Sequence, residues 1–327
     1  MRRRQFVTLV GGIAATWPIA ARAQRVPTRI GFLASGAPTS PYGSDKIELI
    51  KQGLNDNGLV EGRDYIFEIR FAAGSYERFP ELARELAQAG VSVMLANTVA
   101  SVRAAQHLTP PVPVVMVAIN DPVGAGLIAS LARPGGYTTG TASLNQDVTT
   151  KILEFTRTVI PKTTVVAVLF NPANPTNPVM LDNLRTQARA TGITVIPFEL
   201  KGEGDLDAVF SSLEERHPDA IQVVADSGIL DLSDRIATLA LARRLPTFAS
   251  TPSFAKFGGL LAYGATTERL FVRSGYFAKR ILDGAKPDDL PVEQPTQIEL
   301  WINLKTAKAL GISLPQTLLT TADKLID

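Results

Sequence analysis

Short β-branched runs alternate with amphipathic stretches along this chain. The alternation stops at a turn signal and starts again, which confines the fold to two α/β units. Residues 29–34, 65–70, 91–96 and 112–118 read as strands, separated by helical spacing at 47–57, 77–89 and 99–107. Strands apolar on both faces must be covered on both, so these runs predict a parallel sheet with helices above and below it. After Pro134, Gly135 and Gly136 the rhythm resumes, with strands at 164–170, 194–199, 220–225 and 247–250 and helices at 178–191, 206–215 and 232–243. A strand at 260–263, a helix at 268–282, a connection through Pro287, Pro291 and Pro295, and a strand–helix unit at 297–310 complete the chain. The expected architecture is two α/β lobes of the same kind, each a parallel sheet with crossover helices. A chain of 327 residues exceeds what one core usually organises and suits that division. Residues 29–142 plus 262–287 are assigned to lobe 1, and 143–261 plus 293–327 to lobe 2.

Residues 1–23 stand apart. Arg3 and Arg4 precede Gln5, Phe6 and Val7, a moderately apolar run extends to Ala20, and Ala21, Arg22 and Ala23 form a small-x-small cleavage pattern. The run is too short for a membrane span and is broken by Gly11, Gly12 and Pro18, so it reads as a twin-arginine export signal and not an anchor. Removal near Ala23 takes away four arginines and moves the formal charge from +2 to −2. The mature chain has no basic stripe, so nucleic acid is not an expected partner. Absence of cysteine excludes a disulfide framework, a thiolate metal site, a cysteine nucleophile and a lipoprotein anchor. The expectation is a monomer in the periplasm.

In open parallel sheets, ligands gather outside the carboxyl ends of the strands. Here those positions carry short polar side chains. Lobe 1 presents Ser35, then Asn97 and Thr98, then Asn120 and Asp121; lobe 2 presents Asn171, then Asp226 and Ser227, then Ser250 and Thr251. Each of them also suits a helix N-cap. Asp121 and Asp226 stand out because a cap does not need a full charge, and Pro122 fixes the backbone that presents Asp121. Either carboxylate can receive a ligand ammonium, while N–H groups near Ser35 or Thr98 can receive a carboxylate. Phe254 and Phe257 lie in a loop that serves as core or lid, and Tyr42 and Tyr76 either pack or reach the cleft. Covalent chemistry has less to build on. His107 and His217 fall at helix ends, no Gly-x-Ser-x-Gly elbow or His-Glu-x-x-His pair occurs, and the Gly-x-Gly-x-x-Ala match from Gly124 to Ala129 is displaced from its strand. No cofactor and no metal is expected.

Five segments, in order, resemble the ABC-transporter substrate-binding proteins of the tryptophan/tyrosine-type uptake group. They are the leader with Arg3, Arg4, Phe6 and Val7, the opening Arg-Ile-Gly-Phe-Leu-Ala-Ser-Gly at 29–36, Ala-Ile-Asn-Asp-Pro-Val-Gly-Ala-Gly-Leu at 118–127, Asn-Pro-Ala-Asn-Pro at 171–175, and Asn-Leu-Lys-Thr-Ala-Lys-Ala-Leu-Gly at 303–311. The resemblance spans essentially the whole mature chain. It implies a type I periplasmic-binding-protein fold, in which two doubly wound parallel-sheet lobes, joined by three crossovers with a hinge and an interlobe cleft, close on an amino-acid-like or aromatic carboxylate ligand and present it to an ABC permease at the inner membrane. Ser35, Thr98, Asp121, Asn171 and Asp226 carry over as site candidates, with Asn120, Ser227, Thr251 and Phe254 as second choices. One departure bears on the ligand: Ala225 and Asp226 are followed by Ser227 and Gly228 where the family often has a bulky residue or proline, so the pocket is expected to differ in size. The alternatives are an exported hydrolase-like enzyme using Asp121 or Asp226 as base, and a ligand-sensing module that docks to a membrane receptor.

Replacing Arg3 and Arg4 together by Lys keeps the charge and removes the address that the export receptor reads. The folded protein is then expected to remain in the cytoplasm on fractionation; an undiminished periplasmic yield would point to the general secretory route.

Overall fold

The computed structural model of the protein describes residues 26–143, 146–295 and 297–327. The export segment read at residues 1–23 lies outside the described residues.

In the first lobe β1 (Thr28–Ala34), α1 (Pro41–Asp56), β2 (Tyr65–Phe71), α2 (Phe79–Gln88), β3 (Val93–Ala96), α3 (Val99–Gln106), β4 (Val114–Asn120) and β5 (Thr138–Ser143) follow in turn. The strands form one parallel sheet in the order β2-β1-β3-β4-β5. Both faces are covered, as the continuous burial of Ile30 to Ala34 along β1 requires. Leu86, Val102 and Met116 pack on one face, and Ile50, Val115 and Phe277 on the other.

The second lobe repeats the winding with α4 (Gln146–Val159), β6 (Val165–Phe170), α5 (Thr176–Ala190), β7 (Thr194–Glu199), α6 (Leu206–Arg216), β8 (Ala220–Val223), α7 (Ser227–Leu230), α8 (Ser233–Ala242), β9 (Thr247–Ala249), α9 (Ser253–Lys256) and β10 (Leu261–Ala265). Its order β7-β6-β8-β9-β10 is the first lobe's order again. The chain then returns to the first lobe as α10 (Glu268–Leu282), packed on α1. It finishes on the second lobe with β11 (Ile298–Asn303), α11 (Leu304–Leu310), α12 (Gln316–Thr321) and β12 (Lys324–Ile326).

Three details differ from the sequence reading. Strand β11 runs antiparallel to β10, so the second sheet is parallel only up to that edge. Residues 262–265, assigned to lobe 1, belong to the second sheet, because β10 is fully buried at Leu261 and Ala262 and needs β9 and β11 on its two sides. Glu293, assigned to lobe 2, pairs with β5 instead: its N–H donates to the Gly140 carbonyl at 3.0 Å and its carbonyl accepts from the Ala142 N–H at 2.8 Å.

Two backbone features position the cleft. The β4–β5 register shifts between Met116 and Ile119, with Ala118 at φ 55°, a left-handed conformation rare for a residue with a side chain. Gly140 lies opposite at φ 130°, where a Cβ would come within 2.1 Å of the Met116 carbonyl oxygen. The bulge interrupts the regular pleat at the end of β4. The second feature is the contact of α1 with α10, which is backbone on backbone: a Cβ on Gly275 would lie 2.2 Å from the Gly53 carbonyl carbon and 2.4 Å from the Leu54 nitrogen.

Gly275→Ala must therefore push the two helices apart. Overpacking of this kind costs about 1–3 kcal/mol, so the urea midpoint is expected to fall with an unchanged slope; an unchanged midpoint would show that the contact yields without cost.

Candidate functional site

The carboxyl ends of the two sheets face each other across a cavity of about 50 Å³. Lobe 1 supplies Asn97 and Thr98 after β3, Ala118, Ile119 and Asn120 at the β4 bulge, and Ser143 at the end of β5. Lobe 2 supplies Asn174, Asp226, Ser227 and Thr251 from the loops after β6, β8 and β9. Tyr42 and Lys46 on α1, with Thr267 and Phe271 from the crossing into α10, close one side. These four also border a larger cavity of about 310 Å³, whose other walls include Leu49, Phe257 and Glu268.

Direct contacts join the lobes around this space. Asp226 is 3% exposed and caps α7, accepting from the Ile229 N–H at 3.0 Å. The same carboxylate accepts from Asn171 Nδ2 at 3.3 Å and Asn174 Nδ2 at 2.9 Å on its own lobe, and from the Tyr76 hydroxyl of lobe 1 at 3.0 Å. A carboxylate offers about four lone-pair positions, so four donors nearly exhaust it. Tyr76 is tied twice, since its oxygen also accepts from the Gly228 N–H at 3.2 Å. Burial and the adjacent Asp226 charge hold its phenol well above the ordinary value.

A second link uses Asp231. Ser35 donates to its Oδ2 at 2.9 Å, and Ser40 donates to its backbone carbonyl at 2.9 Å. Burial raises the Asp231 carboxyl above the usual range, while Lys46 and the two serines pull it back down. Ser227 donates to the Asn97 carbonyl at 3.0 Å. At the outer rim Lys256 pairs with Asp45, and the Tyr42 and Phe257 rings meet edge to face at 5.7 Å.

Five of the nine residues singled out from the sequence line the smaller cavity: Thr98, Asn120, Asp226, Ser227 and Thr251. Thr98 is at the same time the N-cap of α3, accepting from the Ser101 N–H at 3.0 Å in a capping box. Four lie elsewhere. Ser35 is committed to Asp231, and Asn171 supports Asp226 from behind. Phe254 is a fully buried core residue. Asp121, the leading candidate, turns back on its own loop, where Oδ1 accepts from the Gly124 N–H at 2.9 Å, and it is not among the lining residues. Its backbone at φ 42° explains this, because the left-handed turn folds the side chain over the following residues.

The sequence reading missed Lys46 and Asp231 and left Tyr42, Tyr76 and Asn97 unassigned. Asn97 is buried, and its Oδ1 has no hydrogen-bond partner among the described residues. Lys46 is 6% exposed, with its ammonium 3.6 Å from the centre of the Tyr42 ring and 5.2 Å from that of Phe271. A signal for it existed. Tyr42, Lys46, Ile50, Gly53 and Leu54 form one helical stripe, and a lysine inside an otherwise buried stripe asks for a reason.

Two doubly wound lobes around a shared cleft define a type I periplasmic-binding-protein fold. The chain belongs to the ABC transporter substrate binding protein family, whose model matches residues 42–326. It is 27% identical over 262 residues, 80% of this chain and 75% of the relative, to a tyrosine-binding protein of Clostridioides difficile strain R20291. Among solved structures it is similar to a conserved domain protein from Vibrio cholerae, with TM-score 0.82, 22% identity, and coverage of 92% of this chain and 100% of that one. It is likewise similar to an ABC domain in complex with L-Trp from Streptococcus pneumonia, with TM-score 0.80, 23% identity and the same coverages. Among the described residues no helix is long and apolar enough to cross a membrane.

Burial lowers the Lys46 ammonium to about 8, against the pull of Asp231, Asp226 and Glu268. The folded value lies below the unfolded one, so the cost of charging Lys46 is fully present below pH 8. That cost falls away as the pH rises from 8 towards 10.5. In reductively methylated protein one lysine signal is expected to titrate near pH 8 and to vanish in Lys46→Arg. A Lys46 signal with a midpoint above 10 would mean the side chain is hydrated.

Proposed function

We propose that this chain is the exported, periplasmic binding component of an ABC uptake system, and that its lobes close on a small amino-acid-like or aromatic carboxylate ligand for delivery to a permease. The observation that carries the reading is the cavity walled by both lobes and bordered by cross-lobe hydrogen bonds, since neither lobe alone completes the site. At the roughly 10–15 Å³ a water-sized group needs, the smaller cavity suits a ligand head group. The adjoining larger cavity, with Leu49, Phe257 and Phe271 in its walls, suits an apolar body. The buried Asn97 Oδ1 is placed to accept a ligand N–H.

Two further facts support this reading, one for the ligand and one for closure. The related tyrosine-binding protein and the L-Trp complex make an aromatic amino acid the first ligand class to try. At the same 23% identity, the chain matches the L-Trp complex with TM-score 0.80 but a ligand-free, open substrate-binding protein from Clostridium difficile with 0.59, as a different angle between similar lobes would produce. The role is binding without covalent chemistry: both buried carboxylates at the cleft, Asp226 and Asp231, are occupied in holding loops and lobes together.

A thermal-shift screen of L-tyrosine, L-tryptophan, other amino acids and aromatic carboxylates tests the ligand class. A ligand at about 100 times its Kd is expected to add about 2.7 kcal/mol of stability. Scattering with that ligand is expected to show a smaller radius of gyration. Tight binding without compaction would favour a rigid site, and no stabilisation by any compound would rule out this ligand class.

A further inference from the structure

Lys46 is the cation lining the smaller cavity, and the cross-lobe hydrogen bonds leave it out. It is buried between the faces of Tyr42 and Phe271, yet among the described residues its ammonium makes no hydrogen bond and no ion pair. The acidic groups near it come from two sides. Asp231 and Asp226 of the second lobe are held by serines in one case and by Tyr76 and two asparagines in the other, and Glu268 stands at the start of α10. Aromatic faces replace part of an ammonium's hydration, but its three N–H donors still need acceptors. An apolar residue at this place in the α1 stripe would avoid the desolvation altogether. Resting on the reading of the cleft as a ligand site, we propose that Lys46 is the counter-ion of the ligand's carboxylate, so that the protein takes carboxylates and zwitterions and discriminates against amines of the same shape.

Calorimetry at pH 8 with L-tyrosine, L-tryptophan and their decarboxylated counterparts tyramine and tryptamine tests this. Wild-type protein is expected to bind one of the amino acids at least about 30-fold more tightly than its amine, the loss typical of truncating a buried charge pair. Lys46→Met is expected to lose about the same factor towards the amino acid and little towards the amine. A second readout needs no variant. Burial lowers the Lys46 ammonium to about 8, and a carboxylate against it raises its proton affinity. Binding measured across the pH range from about 7 to 10 in buffers of different ionisation enthalpy is then expected to take up protons, with a maximum just above the midpoint of the free side chain. A merely structural lysine would show no such uptake. Urea melts establish that Lys46→Met folds; if it does not, the wild-type amine ratio and proton uptake decide. Equal affinity for amino acid and amine, absent proton uptake, or undiminished binding by Lys46→Met would each overturn the proposal while leaving the cleft a ligand site. Wild-type protein that binds none of these compounds and no aromatic carboxylate would overturn the reading of the cleft, and this inference with it.

Discussion

One carboxylate organises the meeting of the two lobes. Asp226 caps a helix, holds the asparagine loop after β6, and receives the Tyr76 hydroxyl from the opposite sheet. A buried anion without donors would be prohibitively costly, so each of the four groups that satisfy it matters. Three of them are local to lobe 2 and arrive with its fold. The fourth crosses the cleft, which makes the relative placement of the lobes part of the same electrostatic problem. Asp231 extends the arrangement with two serine hydroxyls from lobe 1. Both links use neutral donors, so the two carboxylates keep their charge and pull on Lys46 from a distance without a direct ion pair to it.

The walls of the cleft depend on contacts farther out. Helix α1 carries Tyr42 and Lys46 and is pressed against α10, which carries Phe271. Only because Gly53 and Gly275 bring the two backbones into contact do these rings flank one ammonium. On the opposite wall the β4 bulge performs a similar service, bringing Ala118, Ile119 and Asn120 together into the cavity lining where regular pleating would alternate them.

Much of the architecture was legible because strands covered on both faces are written as uninterrupted apolar runs, as in β1, β4 and β6. Strand β5 was not, since Thr-Thr-Gly-Thr-Ala-Ser is polar by composition yet wholly buried. Its threonines bond inward, Thr139 to the Leu290 carbonyl and Thr141 to the Met116 carbonyl. The site was legible only at the level of its rims. Strand-end logic found Thr98, Asn120, Asp226, Ser227 and Thr251, but it also elevated Asp121, whose direction depends on a local left-handed turn that residue types do not reveal. Lys46 escaped because it lies inside a helix, away from any strand end. Asp231 escaped because its importance arises from two serines almost two hundred residues earlier in the chain.

Thr267 joins β10 of the second lobe to α10 of the first and also borders both cavities. A crossover and a wall are therefore the same residue. Under the proposed reading, the torsions that swing the lobes apart pass through a side chain against which the cargo rests. The dwell time of a ligand then becomes a property of this joint as much as of the pocket, and two compounds of equal affinity can differ in how quickly they are handed on.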